Sequence, residues 1–197
     1  MTAHDCSQAA AATLADYLSA DLRVLSVGIN PSLRAVREGF YFPNPQNRFW
    51  PALNASGLLA APVTPGPDAM ALILARDRIG FTDLCKTPSS MARHLRAADY
   101  RAGAVRLAQI VADCRPPVLW FHGATAFRAF CRQVLGTTPA AIEPGPQAQT
   151  FAGARTFVTP NPSPANARYS LAMLIDCYRR LAAALAPPDG GTTAPGH

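Results

Sequence analysis

Leu22-Arg23-Val24-Leu25-Ser26-Val27-Gly28-Ile29-Asn30-Pro31-Ser32 is an apolar run, rich in branched residues, that ends abruptly at an Asn-Pro turn. The part over 22–29 has the length and composition of a strand buried on both faces, and it is the first element of the sheet. Upstream, residues 6–20 are alanine-rich with Leu14, Tyr17 and Leu18 at helical spacing, so a helix is expected there. Downstream, 30–47 is crowded with Pro, Gly and Asn and reads as one long irregular loop. Long loops in compact domains usually carry function, so the strand delivers its end to a site.

The same alternation continues to the C-terminus. Helices are expected over 48–58, closed by Gly57, over 67–78, over 101–114, over 124–135 and over 170–185. Strands are expected over 79–85, 117–121 and 156–159, with 143–149 read as turn. Helix 101–114 is amphipathic, with Val105, Ile110 and Val111 on or near one face. Apolar strands alternating with amphipathic helices give a single-domain, three-layer α/β/α sandwich around a mostly parallel sheet. That domain spans 1–186, and the Pro, Gly and Thr tail 187–197 has too little apolar surface to order itself.

Composition bounds the function. At 197 residues and 49% hydrophobic content, one core can bury about two-thirds of the unfolded surface. No apolar run nears the roughly 20 residues of a membrane span, and Met1 to Ala20 lacks a signal pattern, so a cytoplasmic protein is expected. The five cysteines stand singly and the four histidines show no ligand spacing, so neither a disulfide framework, a metal nor a cofactor is expected. Any hydrolysis then uses water without a metal. Lys+Arg exceed Asp+Glu by 18 to 12, a net +6, with Lys86 the only lysine. Arginine suits bidentate phosphate contacts, which fits a polyanionic partner, although a coding bias that also raises alanine and proline accounts for it equally.

Two Asn-Pro turns follow apolar strands: Gly28-Ile29-Asn30-Pro31-Ser32 and Asn161-Pro162-Ser163. In open parallel sheets ligands bind beyond the carboxyl ends of the strands, so Asn30 and Asn161 point to one crevice. Each turn alone is ordinary turn chemistry. Together, with the aromatic-rich stretch Gly39 to Trp50 between them, they mark a site where an aromatic face can stack on a flipped base, while Phe49 and Trp50 read as core anchors.

The stretch GINPSLRAVREGFYFPNPQNRFW with a C-terminal Asn-Pro-Ser resembles the mismatch-specific uracil/thymine DNA glycosylases, a branch of the uracil-DNA glycosylase superfamily, over about 22–185. The resemblance implies a monofunctional glycosylase, acting as a monomer without cofactor on double-stranded DNA that carries a mispaired or damaged base. It gives Asn30 the positioning of the hydrolytic water, Phe42 the stacking on the base, Gly28 and Ile29 the base edge, and Asn161 and Ser163 the base and sugar. It also gives the 163–168 loop, with Pro164, Ala165, Asn166 and Arg168, the contact to the opposite strand. Arg48, Arg93 and Arg168 are candidates for phosphate contact, and each reads equally well as a solvated surface charge.

Three departures stand out. Ser32 replaces a usual glycine, Pro164 and small residues replace a bulky apolar wedge, and Asp83 ends a strand where relatives carry asparagine or a basic residue. An aspartate there is placed to activate water, with capping of the next turn or pairing with Arg93 as the structural alternative. His122 ends its strand on the same side, with a structural role as its ordinary reading. Two other functions fit the sequence less closely: a glycosylase for hypoxanthine or xanthine, and a mismatch-binding or abasic-site-binding module that does not cut. A binder needs neither asparagine.

Overall fold

The computed structural model describes residues 13–186, and the expected tail and the start of the expected first helix lie outside them. Four parallel strands form the sheet: β1 (Val24–Gly28), β2 (Ile79–Asp83), β3 (Val118–His122) and β5 (Ala154–Thr159), with β4 (Gly145–Phe151) antiparallel at one edge. Their order is β2-β1-β3-β5-β4. The chain leaves β1 to one side for β2 and returns to the other side for β3, so the topological switch point falls at the ends of β1 and β3.

Side chains alternate along each strand, so each face of the sheet has its own core. On one face Val24, Phe81, Trp120 and Phe157 pack with Phe49 and Leu53 of α2 (Phe49–Asn54), Met70 and Ile73 of α3 (Pro67–Asp77), and Leu174, Tyr178 and Leu181 of α6 (Leu171–Ala184). On the other, Leu25, Val27, Leu119, Phe121 and Val158 pack with Leu107, Ile110 and Val111 of α4 (Ala97–Cys114) and Phe127 and Phe130 of α5 (Ala124–Phe130). The last turn of α5 widens into a π turn over Cys131–Leu135. This is the three-layer α/β/α sandwich expected from the sequence. No helix among the described residues is long and apolar enough to cross a membrane.

The structure corrects four local expectations. Residues 13–20 form no helix: Tyr17 pairs with Phe81 as an antiparallel bridge, both backbone bonds at 2.9 Å, and covers the outer edge of β2. Their helical spacing is overridden because Asp16 is held by Lys86 and Arg106, far along the chain. The 30–47 loop contains a six-residue helix, α1 (Leu33–Glu38), capped by the Ser32 hydroxyl at 3.0 Å from the Ala35 N–H and closed by Gly39 at φ 76°. Val105 is 75% exposed, so it lies off the buried stripe of α4.

The fourth concerns 143–149, where the turn reading gives way to the edge strand β4. Pro146 is tolerated there because an edge strand has one unpaired side. Ala152 and Gly153, both with positive φ, turn the chain back into β5.

Candidate active site

The polar chemistry sits on one row. Asp83, Gly28, His122 and Thr159 are the last residues of β2, β1, β3 and β5. Gly28 pairs with Asp83 and His122 with Thr159, while Val27 beside Phe121 brings Gly28 next to His122. All four therefore lie on the face of the sheet that carries α2 and α6. Gly28 is glycine for a reason of space: a Cβ there would collide with Asp83 Oδ1, so the carboxylate leans over the strand into the gap that the missing side chain leaves.

Above this row lies a cavity of about 530 Å³, large enough for a base and part of its sugar. Gly28, Ile29, Asn30, Phe42, Asp83, His122, Asn161, Ser163 and Pro164 all line it, so most of the residues singled out in the sequence meet here. A neighbouring cavity of about 470 Å³ shares Asn161 and Ser163 and is lined by Ala165, Asn166 and Arg168. Arg48 lines neither.

Asn30 is fixed by what its amide nitrogen touches. Nδ2 donates to Ser89 Oγ at 3.0 Å and to the carbonyls of Pro31 at 3.1 Å and Ser89 at 3.3 Å, which assigns the amide orientation. Oδ1 remains as the acceptor available to a ligand or a water. Backbone bonds from Leu84, Cys85 and Ser89 to the carbonyls of Gly28, Ile29 and Pro31 join the two strand-end loops, so Asn30 stands on a doubly anchored turn. Ser89 is a partner that sequence reasoning missed. It stands 59 residues from Asn30 with no motif around it.

Asn161 is organised the opposite way. Its Oδ1 accepts the Ser163 N–H at 2.9 Å in an Asx turn, which leaves its amide nitrogen as the free donor. The cavity thus has one amide presenting an acceptor and another presenting a donor.

Phe42 sits at φ 57°, a left-handed conformation that costs an aromatic residue about 1–2 kcal/mol. Its ring stacks on Phe49 with centroids 4.0 Å apart, and its carbonyl accepts the Trp50 Nε1–H at 3.2 Å. Packing holds the ring half-buried at the cavity wall despite the backbone strain. Phe49 and Trp50 are core anchors as expected. Phe42→Ala is expected to weaken retention of any flipped base by about 1–3 kcal/mol, the usual loss of one stacking partner. Unchanged single-turnover kinetics on every duplex would make Phe42 a packing residue only.

Asp83 is 3% exposed, and its Oδ2 has no hydrogen-bond partner among the described residues. Burial pushes its carboxyl up to about 7, opposed by Lys86 and Arg106 and reinforced by Asp16. It does not pair with Arg93, which is exposed on a short 3₁₀ turn. A carboxyl poised near neutrality in a cavity is the profile of a general base. His122 bonds Ser26 Oγ through Nε2 at 2.8 Å, and burial pulls its imidazolium down to about 3, so the ring is neutral at physiological pH.

The 161–169 loop is held from below. Arg48 donates to the carbonyls of Ser163 at 2.6 Å, Asn166 at 2.9 Å and Pro162 at 3.4 Å, and also to that of Tyr169. Its guanidinium, expected from the sequence to meet phosphate, is committed to this loop instead. The Asn166 side chain donates to the Asn161 carbonyl at 3.0 Å, whereas Pro164, Ala165 and Arg168 remain exposed.

A family profile described as the uracil DNA glycosylase superfamily matches residues 15–182. The chain belongs to that superfamily. Membership assigns the chemistry in outline, hydrolytic release of a base from DNA. Among solved structures it is similar to the solution structure of a protein from Methanosarcina acetivorans, provisionally named a uracil DNA glycosylase. The two share 20% identity at a TM-score of 0.54, over 86% of this chain and 97% of that one. At that identity the likeness speaks for the fold, and the family match for the chemistry.

Proposed function

We propose that this chain is a monofunctional glycosylase that removes uracil from duplex DNA, above all from G:U mispairs, with Asn30 and Asp83 as its catalytic pair. The observation that carries this reading is the meeting of Asn30, Asp83, Phe42 and Asn161 around one cavity at the β1/β3 switch point. Breaking an N-glycosidic bond leaves positive charge on the sugar and negative charge on the departing base, so a placed water and hydrogen bonds to the base carry most of the work.

In this reading the uracil stacks on Phe42, and its edge meets the Gly28 and Ile29 backbone, with Asn161 and Ser163 toward the sugar. Asn30 Oδ1 accepts one proton of the attacking water and orients its oxygen toward C1′. As the C1′–N1 bond breaks and the C1′–O bond forms, ionised Asp83 takes the water's proton. The uracil anion then gains a proton, and an abasic sugar remains. Pro164, Ala165, Asn166 and Arg168 face the opposite strand. A non-cutting DNA-binding module would draw nothing from a buried carboxyl whose Oδ2 has no hydrogen-bond partner among the described residues, a group that costs stability wherever it is ionised.

A base-release panel tests the reading, with labelled duplexes carrying uracil, thymine, hypoxanthine or xanthine opposite guanine and single strands as controls. Uracil opposite guanine is expected to be released fastest, ahead of the same uracil in a single strand. Tight duplex binding with no free base would leave only the binding module. Hypoxanthine or xanthine released ahead of uracil would move the activity to damaged purines.

A further inference from the structure

Behind Asp83, on the α4 side of the sheet, lies a charged cluster that the proposed reaction does not use. Asp16 accepts from Arg106 at 2.6 Å, from Lys86 at 2.9 Å and from the Thr82 hydroxyl at 2.8 Å. Arg106 also donates to Thr82 Oγ1 at 3.2 Å and, through its second terminal nitrogen, to the backbone carbonyl of Asp83. Lys86 closes the cluster by donating to the Leu14 carbonyl. Side chains alternate along β2, so Thr82 faces this cluster while Asp83 faces the cavity, and the fork of Arg106 spans both residues.

The approach of α4 that makes this reach possible has its own signature. Gly103 lies one turn before Arg106, and a Cβ there would collide with the Leu84 carbonyl just past the end of β2. The helix is brought into backbone contact with the strand that ends in Asp83.

We propose that Asp16 and Arg106 are positioning residues: their ion pair clamps the last two residues of β2 from the far face of the sheet, and so fixes where the Asp83 carboxylate sits and how readily it ionises. The inference rests on the reading of Asp83 as the base. Lys86 and Arg106 carry two positive charges against the single negative charge of Asp16, so the cluster becomes neutral when Asp83 is ionised. That balance opposes the burial that favours the protonated acid. Among the described residues, the other titratable groups near Asp83 are its neighbour Cys85, whose thiol burial pushes up to about 12, Tyr41, held protonated by burial, and His122, held neutral. None of these changes charge near neutrality, so the charged control falls to Asp16, Lys86 and Arg106.

The test is a carboxyl-carbon NMR titration of the full chain with labelled aspartate, Asp83 being assigned by its loss in Asp83→Asn. Asp16→Asn is expected to move the Asp83 midpoint down by roughly half a unit or more, because a like charge is lost and two cations are released. Arg106→Met should move it up by about one unit, and Arg106→Lys, which keeps the charge without the fork, should recover part of that shift. Single-turnover base release should show an acid limb that follows these midpoints while duplex affinity stays put. Midpoints that coincide in folded wild-type, Asp16→Asn and Arg106→Lys proteins would overturn the proposal, even if thermal stability fell. Failure of the underlying reading looks different: an acid limb that persists in Asp83→Asn removes Asp83 from the chemistry, whereas the NMR midpoints still decide whether the clamp controls it.

Discussion

Replacing Asn30 by alanine is expected to cut single-turnover base release from a G:U duplex by about 10²-fold or more, with fold and duplex affinity nearly unchanged. Alanine removes the pre-aimed acceptor Oδ1 together with the Nδ2 bonds to Ser89 and Pro31, while the backbone bonds from Leu84, Cys85 and Ser89 still anchor the turn. Near-normal affinity follows because the exposed loops and the Phe42 ring remain in place. Rates close to wild type would remove Asn30 from the mechanism and leave its bonds to Ser89 as a loop clasp. An Asn30→Ala, Asp83→Asn double variant no slower than Asn30→Ala alone would show both residues acting on one water.

Asp83→Asn carries two expected results of opposite sign. Wild-type base release should rise through an apparent pKa near 7, where the buried carboxyl ionises, and that limb should vanish in the variant together with about 10- to 10²-fold of the rate above pH 8. Stability should change the other way. The folded state keeps the Asp83 proton up to about pH 7, whereas an ordinary aspartate loses it near 3.8. Between those values the folded protein holds more protons than the unfolded one, so stability falls as pH rises and the loss is complete above 7. Asparagine carries no such charge, so the variant should be the more stable protein at pH 8, by an amount on the order of a few kcal/mol, with the difference closing toward pH 4. A variant less stable than wild type at pH 8 would make Asp83 a structural residue.

The layered fold was legible because its strands are short apolar runs, and 22–29, 79–85, 117–121 and 156–159 all coincide with strands of the sheet to within a few residues. The Asn-Pro turns were legible for the same reason: position at a strand's end implies position at the crevice. What escaped the sequence depends on distant partners. Residues 13–20 have helical spacing, but Asp16 and Tyr17 are claimed by Arg106 and Phe81, and no local pattern records that. β4 hides behind two prolines, and Ala152-Gly153 between its end and β5 lacks the Asn-Gly or Asp-Gly pair that marks a hairpin in a sequence. Arg48 reads as a surface cation because its acceptors are backbone carbonyls more than a hundred residues away, and carbonyls leave no mark in a sequence. Asp83 could be placed but not titrated, since its ionisation depends on burial and on the charges of Asp16 and Arg106, far along the chain, as well as of nearby Lys86.

Arg48 stands immediately before Phe49, the residue on which Phe42 stacks, so one short stretch of chain carries both the 161–169 loop and the wall of the base cavity. The two behave as a single machined part rather than as interchangeable modules. Grafting a different loop onto this scaffold, for instance to supply the missing bulky wedge, must keep carbonyl oxygens where Ser163, Asn166 and Tyr169 now offer them to the guanidinium. A graft that moves those oxygens frees a half-buried cation under the loop and loosens the footing of the aromatic stack as well. Redesign at the surface would then be felt in the cavity.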